Sequence, residues 1–204
     1  MFEQTKYHAK YFSHELTRQY SSDSLEKFAR TLSEAQVTLN PHQVDASLFA
    51  FKSPFSKGAI LADEVGLGKT IEAGIVISQY WAECKKKILI IMPSSLRKQW
   101  QQELEDKFYI SSVILEAKTF NDTIKAGNLN PFEQDGVVIC SYHFARNKES
   151  YIKATNWDLV VIDEAHRLRN VYKKSNKIAN ALTLLSLLSS VLLCSDNLHL
   201  HLVC

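Results

Sequence analysis

A chain of 204 residues, 46% hydrophobic and 23% charged, has the balance of one medium globular domain with room for an extension. A domain of that size needs neither disulfides nor a structural metal. Its net charge of +2 excludes a global field for nucleic acid, so any such contact has to come from a local patch.

Residues 1–39 are expected to be helical: Tyr7, Tyr11 and Leu16 roughly follow one helix face, and Asp23 with Glu26 resembles a capping box for a second helix. Asn40 and Pro41 mark a third start, with Asn as N-cap and Pro in the first helical position, for a helix over residues 42–51. Beyond Ser53-Pro54 the texture alternates between strand and helix. Short apolar runs at residues 58–62, 88–92, 113–115, 137–140 and 159–162 are predicted strands, and helices are predicted over 69–81 and 96–108. The run at 88–92 is continuously apolar and stopped by Pro93, as in a strand buried on both faces. This alternation indicates an α/β fold, a mostly parallel sheet covered by helices on both faces. None of the four cysteines forms a C-x-x-C pair, so no zinc ribbon or redox motif is indicated. With no signal peptide and no apolar run of the ~20 residues that span a bilayer, the expected location is the cytoplasm.

The chemistry is concentrated in two segments. Asp63, Glu64, Val65, Gly66, Leu67, Gly68, Lys69 and Thr70 lie between a predicted strand and a predicted helix. Gly66 and Gly68 allow the backbone to approach an anion closely, and the helix start turns its N–H groups towards it. Lys69 can then reach the terminal phosphates of a nucleotide, and the Thr70 hydroxyl can ligate magnesium. The strict phosphate-loop pattern asks for Gly at position 63, where this chain has Asp63. The second segment is the strand 159–162, which runs directly into Asp163 and Glu164. Two carboxylates at the carboxyl edge of a parallel sheet lie where such sheets bind ligands. Asp163 can hold magnesium, and Glu164 can orient and deprotonate an attacking water.

Taken together, residues 61–74 and 163–170 resemble the Swi/Snf-like branch of superfamily two helicases, closest to the bacterial RapA-like DNA translocases. The resemblance covers residues 40–182 and accounts for Asp63, which that family commonly carries. It implies a RecA-like P-loop ATPase lobe preceded by an N-terminal helical extension. It also implies that Gln43 reads adenine, and that Ser94, Ser95 and Ser141 contact a DNA backbone, most simply of duplex DNA. The expected function is that of an ATP-binding lobe of a DNA-dependent ATPase, with ATP and magnesium as its cofactors. Protein partners could dock on the N-terminal helices. Lys85-Lys86-Lys87 and Lys173, Lys174 and Lys177 are further candidates for DNA contact.

The resemblance ends near residue 183. The family's second lobe and its arginines are not expected within these residues, and the strand-like Val191-Leu192-Leu193 is followed by Cys194-Ser195-Asp196-Asn197 where the family has a Thr-Ala-Thr-like motif. Residues 183–204 therefore look like a divergent Leu/Ser-rich tail, of the kind a truncated or frame-shifted gene produces. A fragment with weak or no turnover is expected. The competing expectations are a non-catalytic nucleotide- or DNA-binding module and the motor part of a restriction or phage-defence system.

Overall fold

The computed structural model describes residues 40–52, 58–61, 69–165 and 190–194. The helices expected before residue 40, the phosphate-loop residues 62–68 and the lysines at 173–177 lie outside the described residues. Within them the elements are α1 (Pro41–Lys52), β1 (Gly58–Leu61), α2 (Lys69–Ala82), β2 (Lys87–Met92), α3 (Arg97–Phe108), β3 (Ser112–Ile114), α4 (Ala117–Lys125), β4 (Gly136–Ser141), α5 (Tyr142–Asn147), α6 (Glu149–Ala154), β5 (Leu159–Ile162) and β6 (Ser190–Cys194).

The six strands form one sheet in the order β1-β6-β5-β2-β4-β3, and every pairing is parallel. Alternate residues of each strand face opposite sides. Ile88, Ile90 and Met92 join Val137, Ile139, Leu159, Val161, Leu192 and Cys194 in a core with Ala73, Ile75, Trp100, Leu104 and Phe108 of α2 and α3. Leu89, Ile91, Val138, Cys140, Val160, Ile162 and Val191 face the other way, onto Phe120, Phe144 and Ile152 of α4–α6 together with Phe132 and Trp157. Both faces are thus covered, which explains why these strands carry unbroken apolar runs instead of an alternating pattern. The rings on the second face meet edge-on or tilted, with Phe120 to Phe144 at 5.8 Å and Phe132 to Trp157 at 6.2 Å between centroids.

The strand-like run Val191-Leu192-Leu193 is a strand, β6. Residues 190–194 fall in the segment read as a divergent tail, yet they form an interior strand between β1 and β5. A parallel interior strand requires only a short apolar, β-branched or leucine-rich run, and Val191-Leu192-Leu193 meets that requirement without any family motif. The sheet therefore extends past residue 182. No helix among the described residues is long and apolar enough to cross a membrane.

α1 docks on α2. Ser47 is fully buried, and its hydroxyl donates to the Gln43 carbonyl at 2.8 Å while lying 3.4 Å from the Glu72 carbonyl of α2. α2 in turn packs on α3 at Gly74, where an added Cβ would lie 2.2 Å from Cε2 and 2.4 Å from Cζ of Phe108. Only glycine lets that ring sit against the helix. Gly74→Ala is expected to destabilise the lobe by about 1–3 kcal/mol through overpacking, seen as a melting temperature lower by roughly 3–10 °C. Adding Phe108→Leu to Gly74→Ala should recover part of the loss.

Candidate functional site

In a parallel sheet all strands end on one edge, so register decides which residues meet there. Leu61 pairs with Cys194, Leu193 with Ile162, Ile162 with Ile91, and Met92 with Ser141. The end of β1, the Asp163 step after β5, the Pro93 stop after β2 and the start of α5 therefore form one row. β1 and β5 are separated by β6 alone, so the chain leaves Leu61 about 10 Å from where Asp163 emerges, two interstrand spacings.

Asp163 is held from several sides. Its backbone N–H donates to the Ile91 carbonyl at 2.9 Å, extending the β5–β2 ladder by one residue. Its carbonyl accepts from the Tyr142 hydroxyl at 2.5 Å. Of its carboxylate oxygens, Oδ2 accepts from the indole Nε1–H of Trp100 at 2.9 Å and Oδ1 from the backbone N–H of Glu164 at 2.9 Å. Glu164 itself adopts a left-handed conformation with φ of 57°, which turns its side chain and the following chain away from the line of β5. That conformation costs a residue with a Cβ about 1–2 kcal/mol, and the fully buried Ala165 that follows anchors the turn in the second core. Strain of this kind is typical of a turn that aims functional groups.

Lys69 and Thr70 are the first two residues of α2 and are half-buried. Cys194, at the end of β6, feels both Lys69 and the acidic pair. Burial pushes its thiol well above the usual range; the Asp163, Glu72 and Glu164 carboxylates push it the same way, while Lys69 opposes them. Lys69, Asp163 and Glu164 are therefore all within electrostatic reach of the last residue of β6.

Gln43 is 3% exposed, and its side-chain oxygen accepts the Asn40 backbone N–H at 3.1 Å. It thus forms half of a capping box at the start of α1. Ser94 and Ser95 are exposed in the turn after β2, but neither caps α3: Leu96 holds the cap position with no side-chain bond. The turn is closed by Leu96 N–H to the Pro93 carbonyl at 3.1 Å and by Arg97 Nε to the Ser94 carbonyl at 3.2 Å. Ser141 caps α5, its hydroxyl accepting from Phe144 N–H at 3.3 Å. All three serines lie on the same edge as Asp163.

Lys85-Lys86-Lys87 lies elsewhere, at the amino end of β2, on the edge opposite the serines. Lys85 is bonded to Glu83 and Lys87 to Glu133, each pair raising its lysine's pKa, and Lys86 sits over the Trp81 ring at 5.3 Å. Much of that cluster's charge is matched locally. Sequence reasoning also passed over Trp100 and Tyr142 as neighbours of Asp163. Both stand in the segments 91–100 and 138–142 that resemble the family's backbone-contact motifs, but neither position indicates a contact with Asp163.

The family model for the SNF2-related domain matches residues 10–188. The RNA polymerase-associated protein RapA of Yersinia enterocolitica is 34% identical over 155 residues, which cover 74% of this chain and 16% of that protein. RapA of Proteus mirabilis is 35% identical over 156 residues with the same coverage. Among solved structures, the SWI2/SNF2 ATPase core of Sulfolobus solfataricus in complex with double-stranded DNA superposes with a TM-score of 0.66 at 25% identity, covering 80% of this chain and 33% of that one. The chain thus spans about one sixth of the length of the curated relatives it matches.

The three described cysteines differ sharply in environment. Cys84 is exposed, whereas Cys140 and Cys194 are buried, with burial pushing the Cys140 thiol up to about 12. Site-resolved labelling with a thiol reagent at pH 8 should modify Cys84 in the native protein and reach Cys140 and Cys194 only after denaturation.

Proposed function

The chain belongs to the SNF2-related domain family of helicase-like ATPases, and on that premise we propose that it is the ATP-binding lobe of a DNA-dependent translocase. The observation that carries the proposal is the strand register, which sets the end of β1, eight residues before Lys69, on the same edge as the end of β5 that delivers Asp163 and Glu164. The opposing influences of Lys69 and of the Asp163 and Glu164 carboxylates on the Cys194 thiol support the same arrangement.

In this reading the N-terminus of α2 and the glycines before it receive the phosphates of ATP, and Lys69 offsets their charge. The Thr70 hydroxyl and the Asp163 carboxylate are hard oxygen donors of the kind magnesium takes, so this part of the site fits that ion. When bound, magnesium would neutralise charge on the phosphate oxygens. Asp163 enters the site already oriented by Trp100 and Glu164 N–H. Glu164, aimed by its left-handed turn, takes the proton of the attacking water. Gln43, whose side-chain oxygen accepts the Asn40 N–H at the start of α1, is in this reading the residue that reads the adenine edge. Asp63 to Gly68 complete the phosphate cradle.

The DNA assignment is supported by Ser94, Ser95 and Ser141 sharing one edge with the nucleotide residues. It is supported too by the duplex bound to the Sulfolobus relative. An arginine donated in trans to such a site is worth about 10³–10⁵ in rate. Residues 1–204 assayed alone should therefore bind Mg·ATP and turn it over very slowly.

The test is direct. Lys69→Ala should weaken Mg·ATP binding by about 10- to 100-fold, measured with a fluorescent analogue. Glu164→Gln should bind normally and lose residual hydrolysis by about 10²-fold or more. Nucleotide affinity indifferent to Lys69 would refute the site. For DNA, triple alanine substitution of Lys85, Lys86 and Lys87 should leave duplex affinity within about two-fold, because Glu83 and Glu133 already match much of their charge. The salt dependence of binding should be unchanged too, since each lysine that neutralised a phosphate would add roughly one unit to its slope.

A further inference from the structure

We infer that Trp100 and Tyr142 are positioning residues that set the carboxylate of Asp163 for the metal-nucleotide, and that they do so from the two segments that carry the candidate backbone-contact serines. The inference rests on the reading of Asp163 given above. It assigns the residues that orient that carboxylate.

Trp100 is 2% exposed and fixed in the core by α3, six residues after Ser94. A buried indole N–H requires an acceptor, and here the acceptor is charged. Rotation of the Asp163 carboxylate about χ2 is thereby restrained at Oδ2, while Glu164 N–H fixes Oδ1. Tyr142 acts one step further back. It is 4% exposed, follows the capping Ser141 directly, and its hydroxyl meets the Asp163 carbonyl. That carbonyl lies just beyond the last residue of β5, so its hydrogen bond holds the peptide from which the turn at Glu164 departs.

The two contacts have different chemistry and a common target. Trp100 belongs to α3, which begins at the Ser94-Ser95 turn; Tyr142 opens α5, which begins at Ser141. Arg97 stiffens the first of these, donating to the Ser94 carbonyl and pairing with Glu116 at 3.6 Å. A shift of either turn relative to the sheet has a rigid side chain through which to bear on Asp163.

The experiment uses residues 1–204 and a fluorescent ADP, titrated with Mg²⁺ and again in EDTA, so that the affinity gained on adding magnesium is read for each protein. Trp100→Phe keeps an aromatic ring and removes the N–H; Tyr142→Phe removes only the hydroxyl. The magnesium-linked gain should fall about five- to thirty-fold in Trp100→Phe, the size expected for loss of a charge-assisted hydrogen bond, and less in Tyr142→Phe. In parallel, the indole ¹⁵N–¹H signal of Trp100 in the unsubstituted protein, one of three and identified by its loss in Trp100→Phe, should move when Mg²⁺ is added to the ADP-bound form. A gain within two-fold of the unsubstituted protein in both variants, with an unmoved indole signal, overturns the inference while leaving the nucleotide site intact. If Trp100→Phe shows no cooperative melt, Tyr142→Phe and the indole signal decide by the same criteria. Should the unsubstituted protein show no magnesium-dependent ADP binding, the reading of the site itself falls, and this inference with it.

Discussion

A parallel sheet imposes one constraint from which the rest of the lobe follows: its strands all end on the same edge, and their register fixes which ends are neighbours. Here the constraint runs through β6, whose two flanks pair with β1 and β5. Without that strand, Leu61 and Ile162 would have no common partner. α2 and β5 also share the first core, where Ala73 and Ile75 pack with Leu159 and Val161.

Around that edge the lobe places charge at a cost it offsets locally. A carboxylate at the end of a strand buried on both faces loses water, and Asp163 recovers hydrogen bonds from an indole and a backbone N–H. The peptide that carries the Glu164 N–H is itself held by the Tyr142 hydroxyl on the Asp163 carbonyl, and the left-handed turn begins directly after it. Asp158 plays a related part at the opposite edge. Its Oδ2 accepts from Lys87 N–H at 2.9 Å, and its own N–H donates to the Lys87 carbonyl at 2.8 Å. β5 is therefore clamped to β2 at both ends, which fixes where Asp163 emerges.

The fold was largely legible because strands buried on both faces must be apolar throughout, and the runs at 88–92, 137–140 and 159–162 satisfy that rule. α2 and α3 announced themselves through a glycine-rich start and a four-residue spacing of Leu96, Trp100, Leu104 and Phe108. α4, α5 and α6 escaped notice, being only six to nine residues long and held mainly by aromatic contacts with distant segments. The place of β6 escaped for a different reason: hydrophobic pattern identifies a strand but not its neighbours. Lys69, Asp163 and Glu164 were visible as motifs because their chemistry depends on residue type at a strand end. Trp100 and Tyr142 were not, since a hydrogen bond spanning 63 or 21 positions leaves no local trace.

The place of β6 also has a consequence for the order in which the molecule is built. Gly58 and Val191 are partners in the sheet but lie about 130 positions apart along the chain. During synthesis β2, β3, β4 and β5 are complete and mutually adjacent long before residue 190 exists, so a four-stranded nucleus with both faces packed can form early. β1 has no strand to join until then, although it is made first. Of the six described strands, the last to leave the ribosome is thus the one that inserts next to the first, and the edge on which β1 and β5 end side by side is completed late in the life of the chain.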